Sequence, residues 1–191
     1  MSELRIYTED NPVKAERVLT SFDAIRDALA EIGVEFERWE ASQPLRQDAT
    51  QDEVIEAYRD PIDRLMKQHG FTSVDVVSMH SDHPQCDAMR EKFLDEHTHD
   101  DFEVRFFVDG EGLFCMRANG RVYAALCTRG DLINLPANLT HWFDMGAAPS
   151  FTAIRLFTTP EGWVAKFTGA DVGKSFPRLE APHYGASRGR V

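Results

Sequence analysis

From Val104 to Phe157 the chain is written as short apolar runs divided by turns, and no other feature restricts its fold as much. The runs at 104–108, 113–117, 122–128, 132–135, 141–144 and 151–157 recur at the spacing expected of an all-β barrel. Asn119-Gly120 is the clearest hairpin turn, because both residues tolerate the positive backbone angles of a type I′ turn. Asp109-Gly110 reads as a second. Hairpins make antiparallel pairs, and closing the sheet removes the edges that invite aggregation.

Ahead of this block the pattern is mixed. Leu4 to Tyr7 alternates as a strand that ends in the turn cluster from Thr8 to Pro12. Phe22, Ile25, Ala28, Leu29 and Ile32 fall at helical spacing and predict a helix over about 21–32, with Thr20 or Ser21 as cap and Gly33 as stop. Val34, Phe36 and Trp39 predict a strand. Thr50-Gln51-Asp52-Glu53 has capping-box spacing and opens a helix reaching about His69, which Pro61 should kink or interrupt. Residues 74–79 read as a strand. Ser81 to Pro84 then turn into a helix reaching about Leu94, with Met89 and Phe93 as its buried stripe.

At 191 residues the chain can bury a sizeable core, and one domain is the expectation. A formal charge of −11, from 32 acidic against 21 basic residues, repels phosphate backbones and anionic lipids, so nucleic acid and membrane surfaces are poor partners. Cys86, Cys115 and Cys127 have no paired spacing and read as reduced thiols, the last two as small core residues. With no basic-then-apolar leader and no apolar run long enough to span a bilayer, a cytoplasmic location is expected.

The stretch Glu96-His97-Thr98-His99-Asp100-Asp101-Phe102-Glu103-Val104-Arg105 carries the chemistry. Read as one strand, it turns His97, His99, Glu103 and Arg105 to one face and Phe102, Val104 and Phe106 to the other. Two imidazoles, a carboxylate and a guanidinium facing inward would be costly unpaired, so they call for a metal or a water-filled pocket unless the face meets solvent. His69, His80 and His83 precede the stretch, and His183 follows far behind it. No carboxylate or cysteine spacing supports a second site at His80 and His83; His69, His80 and His83 read as surface or helix-end residues, and His183 is given no functional role.

The spacing from His97 through His99 and Glu103 to Gly110, followed by Gly130, Pro136 and His141, resembles the two signatures of the cupin superfamily. That resemblance implies a double-stranded β-helix, or jelly-roll, barrel whose facing strands hold one metal with His97, His99, Glu103 and His141. Residues 1–176 would then be a single cupin domain: strands and helices over 1–95 packed against a barrel core over 96–176, with 177–191 an irregular tail. Glu91, Asn138 and Met145 depart from the general cupin pattern, and none of them removes a ligand. Asn138 is a mild change, because asparagine tolerates a left-handed backbone.

The wording from Glu96 to Phe106, with Gly110-Glu111-Gly112 and then Leu135-Pro136-Ala137-Asn138 before His141 and Phe143, resembles the acireductone dioxygenase family of methionine salvage more closely. The resemblance covers most of the chain to about Phe176. It implies an Fe2+ or Ni2+ enzyme, one ion per chain, that cleaves 1,2-dihydroxy-3-keto-5-methylthiopentene with O2. The iron form would give formate and 4-methylthio-2-oxobutanoate, and the nickel form carbon monoxide, formate and 3-methylthiopropionate. Arg105 would help to generate the substrate dianion, Glu96 would assist metal entry, and Phe102 would relay shifts from the metal to nearby loops. On residue type alone, Glu96 reads as a solvated carboxylate and Phe102 as a core ring. Arg155, in a strand-like run, is either a second anion partner or a surface ion pair, and Phe93, Phe143 and Trp163 would wall the methylthio tail. A monomer is expected. The alternatives are another metal-dependent cupin enzyme, such as an organic-acid oxidase or decarboxylase or a sugar isomerase, and a non-catalytic ligand-binding module.

Overall fold

A computed structural model describes residues 1–41, 43, 45–46, 49–159 and 163–179. Among these the protein is mainly β: eleven strands and four α-helices, in two antiparallel sheets that share one long strand. That strand is β6, if the elements are numbered along the chain as β1 (Glu3–Thr8), β2 (Arg17–Leu19), α1 (Phe22–Ala30), β3 (Glu35–Arg38), α2 (Gln51–Ala57), α3 (Arg59–His69), β4 (Ser73–His80), α4 (Cys86–Leu94), β5 (His97–Thr98), β6 (Glu103–Ala118), β7 (Arg121–Thr128), β8 (Asp131–Leu135), β9 (Thr140–Asp144), β10 (Ser150–Phe157) and β11 (Lys166–Phe167). The first half of β6 pairs with β8 and β10, with β3 and β4 beyond them. Its second half pairs with β7 and β9, and this sheet runs β11-β5-β9-β6-β7-β1-β2.

The predicted Asp109-Gly110 hairpin does not form. The runs at 104–108 and 113–117 are one strand, and Gly110 is the bend at which that strand passes from one sheet to the other. Gly110 sits at φ 75, and a Cβ there would lie 1.9 Å from the Ser150 carbonyl oxygen, so both conformation and space demand glycine. Gly110→Ala is expected to lower stability by at least about 2 kcal/mol in denaturant melts. Gly120→Ala should cost only about 1 kcal/mol, since Gly120 has a similar φ but open space around it. The Asn119-Gly120 turn does form between β6 and β7, with φ of 53 and 72.

The helix predicted from Gln51 to His69 is two helices meeting at Tyr58. Pro61 falls in the first turn of α3, where its missing N–H costs nothing. The Thr50–Glu53 capping box is present, with the Thr50 N–H donating to Glu53 Oε2 at 2.8 Å. Val54, Tyr58, Ile62 and Leu65 from these helices cover one face of β6 through Val104 and Phe106. The opposite face joins a larger core with Phe107, Phe114, Ile133, Phe143 and Phe151, against which Met89 and Phe93 of α4 pack half-buried. Cys115 and Cys127 are buried, as expected.

The end of the expected domain, just ahead of the expected tail, is ordered. Val172–Ser175 forms a 3-10 turn, and Phe176 is buried against Tyr7 and Trp142. His183 lies outside the described residues. Among the described residues, no helix is long and apolar enough to cross a membrane.

Candidate metal centre

Three strands and one turn deliver the site. β5 brings His97, the turn after it brings His99, and β6 opens with Glu103. β9 lays His141 directly opposite His97. The stretch is therefore not one continuous strand: it turns between Thr98 and Glu103, and period-two alternation holds only from Glu103 on. Phe102 consequently leaves the apolar face and stands 43% exposed, contrary to its reading as a core ring.

One ligand atom from each of His97, His99, Glu103 and His141 lies within 4.8 Å of all the others. His99, Glu103 and His141 are at most 2% exposed. Each imidazole sets its Nδ1 against a backbone carbonyl: His97 to Asp95 at 2.8 Å, His99 to Asp101 at 2.7 Å and His141 to Leu139 at 2.8 Å. A carbonyl only accepts, so each Nδ1 carries the hydrogen and each neutral ring turns a bare Nε2 the other way. The Nε2 atoms of His99 and His141 then face Glu103 Oε2 at 2.8 and 3.0 Å, lone pair against carboxylate oxygen. Something positive belongs between them. Protons would do so only by accumulating imidazolium charge in a buried place, whereas one divalent cation satisfies all four donors together. The donor set therefore fits a metal, and the carbonyls behind the rings fix their orientation.

The electrostatics agree. Burial alone would raise the Glu103 pKa, but the Arg105 guanidinium, and hydrogen bonds from His141 and His99 whenever their Nε2 atoms carry protons in place of a cation, hold it well below the usual carboxylate range. For His99, burial acts downward, yet the hydrogen bond and charge of Glu103 outweigh it and leave the pKa above 6.5. Burial, helped by the charge of His141, pushes His97 below 6.5. Protons thus compete for the site through His99 first and not through Glu103. Metal affinity is expected to begin falling at a pH above the ordinary histidine range as His99 takes up its proton, and to fall further as pH drops, in chelator competition across a pH series.

Arg105 is 4% exposed, with its Nε 3.0 Å from Glu103 Oε1, an ion pair without the alignment of a hydrogen bond. Its guanidinium lies 4.4 Å from the Phe143 ring centroid and 5.2 Å from that of Phe114. Arg155 is the cross-strand partner of Arg105 and donates to both oxygens of Asp75, at 2.8 and 2.6 Å. It is half-buried, so it both makes the ion pair foreseen for it and faces the site. Phe93, Phe143, Arg155 and Trp163 do line one cavity of about 190 Å³ with the four ligands and Arg105. Trp163 stacks on His99 at 5.7 Å and donates to the Phe102 carbonyl at 2.7 Å. A larger cavity of about 280 Å³ beside Arg46, His80 and Arg129 gathers no ligand set.

Glu96 is neither solvated nor among the clustered ligands. Its carboxylate is buried and takes two hydrogen bonds from Arg117, at 2.7 and 2.8 Å. His69, His80 and His83 stand apart from the cluster. Lys92 and Phe167 also line the cavity, and sequence reasoning missed both. Phe167 belongs to a two-residue strand too short to show period two, and Lys92 looks like any solvated helix charge.

Residues 3–165 match the ARD/ARD' family. The acireductone dioxygenase of Alcanivorax borkumensis is 53% identical over 178 residues, covering 93% of this chain and 98% of that one. The acireductone dioxygenase of Methylococcus capsulatus is 55% identical over 180 residues, covering 94% and 96%. Among solved structures, the acireductone dioxygenase from Bacillus anthracis with a cadmium ion in its active centre superposes with a TM-score of 0.78 at 30% identity, over 87% of this chain and 98% of that one. Similarity at this level over nearly the whole length, together with three imidazoles and a carboxylate on one buried centre, makes this chain a member of the ARD/ARD' family.

Proposed function

We propose that this chain is an acireductone dioxygenase of methionine salvage, cleaving 1,2-dihydroxy-3-keto-5-methylthiopentene with O2. The observation that carries the reading is the buried cluster of His97, His99, Glu103 and His141 beside the Arg105 guanidinium. These four side chains would hold Fe2+ or Ni2+, one per chain; no cysteine belongs to the cluster, and burial pushes the Cys115 and Cys127 thiols up. When bound, the ion would supply positive charge that lowers the pKa of an enediol hydroxyl, and redox chemistry with O2.

The chain's own residues do the rest. Glu103 stays ionised and anchors both the cation and Arg105. Arg105, held in place by Phe143 and Phe114, faces the second negative charge of the substrate and stabilises it where burial excludes water. Charge supports a dianion. Glu103 and Asp75 balance Arg105 and Arg155, so the two positive charges of the ion, with Lys92 on the cavity lining, leave the site cationic toward an anionic ligand. Arg155 then orients the enediolate, and the Phe93, Phe143 and Trp163 rings take the apolar methylthio tail. A cavity of about 190 Å³ suits so small a molecule, since drug-sized ligands occupy about 300–1,000 Å³. Glu96 acts on the site through the strand it fixes, and Phe102 through its carbonyl contact with Trp163. The protein is read as a cytoplasmic monomer whose working unit is residues 1–176.

The test is anaerobic addition of the acireductone to iron-loaded and nickel-loaded protein, followed by O2 and analysis of products. Formate with 4-methylthio-2-oxobutanoate from iron, and carbon monoxide with 3-methylthiopropionate from nickel, is the expected pair. Binding without O2 uptake on either metal would point instead to a ligand-binding module.

A further inference from the structure

Of the three ligands that lie on strands, His97 is the least secured by backbone pairing. Glu103 and His141 sit on β6 and β9, which share five residue pairs, whereas β5 has two residues, one pair to β9 and two to β11. β11 is itself a two-residue strand with both residues exposed. What fixes β5 instead is the residue just before it. The Glu96 side chain is 0% exposed and receives Arg117 Nε on Oε2 at 2.7 Å, Arg117 Nη2 on Oε1 at 2.8 Å and Thr168 Oγ1 on Oε1 at 2.6 Å. The Thr168 N–H also donates to the Glu96 carbonyl, at 3.0 Å. Arg117 comes from β6, the strand that opens with Glu103, and is paired to Thr140 next to His141. Glu96 lies between His97 and Asp95, whose carbonyl holds the His97 Nδ1 hydrogen. A shift of Glu96 would therefore move both the ligand and the acceptor that orients it.

We propose that Arg117 is a positioning residue of the metal centre: its two-pronged grip on the buried Glu96 carboxylate sets the place of His97, and with it how tightly the site holds its ion. The proposal rests on the four-ligand metal reading above. A two-bond guanidinium–carboxylate clamp fixes direction as well as distance, which a lysine cannot reproduce. Partners that orient metal ligands typically contribute about 10–100-fold in affinity.

The test compares wild type, Arg117→Lys and the double variant Glu96→Gln/Arg117→Gln, which removes both charges together. Ni2+ and Co2+ dissociation constants are measured by chelator competition, with the melting temperature of each metal-free protein and the absorption spectrum of each Co2+ form. Both variants are expected to bind about 10–100-fold more weakly, with a Co2+ spectrum altered as one imidazole is displaced, and Arg117→Lys is expected to remain folded. Dissociation constants within about twofold of wild type, with only the metal-free melting temperature lowered, would make the clamp purely structural and overturn the proposal. Failure of wild type to bind one ion per chain would instead overturn the metal reading beneath it.

Discussion

Glu103→Gln is expected to abolish metal retention and to lower the stability of the metal-free protein by about 3–5 kcal/mol, the cost typical of breaking one side of a buried ion pair. The carboxylate has two roles. Oε2 faces the Nε2 atoms of His99 and His141, and Oε1 faces the Arg105 guanidinium. An amide of the same shape keeps the volume but removes the charge, leaving Arg105 buried beside a neutral group. Both effects are read on one preparation, by metal analysis after desalting and by a denaturant melt of the stripped protein. A variant that still carried one ion per chain would mean that Glu103 is not a ligand.

Arg105→Ala divides the same region differently. Metal content should stay at one per chain, because four ligands remain, while kcat for acireductone consumption falls about 10²–10³-fold, as when a buried charge stabiliser is removed. Arg105→Lys should recover only part of that loss: it restores a charge but not the planar group packed 4.4 Å from Phe143. Unchanged turnover in Arg105→Ala would take this residue out of the mechanism.

How much of this could be read from residues alone depended on how local each signal was. The Thr50–Glu53 capping box and the Asn119-Gly120 turn act within a few residues, and both formed as expected, whereas period two read across Glu96 to Arg105 failed where the chain turns between Thr98 and Glu103. Gly110 misled because a glycine between two apolar runs signals a hairpin as readily as a bend. Only the tertiary approach of Ser150 decides between them. The ligands were legible because their types and spacing are unusual. Their mutual approach was not, since it depends on β9 reaching His97 across the sheet. Glu96 and Arg117 are 21 residues apart, and nothing in their local sequence announces that they pair. Asp75 and Arg155, 80 apart, are the same case.

X-ray absorption at the metal edge, on iron-loaded protein kept free of oxygen, before and after addition of the acireductone, bears most directly on the whole account. Three imidazole nitrogens and one carboxylate oxygen should be present throughout, with two further light ligands replaced when the substrate arrives. A closed four-coordinate ion whose surroundings do not change on addition, or one bound with fewer than three imidazoles, would contradict it.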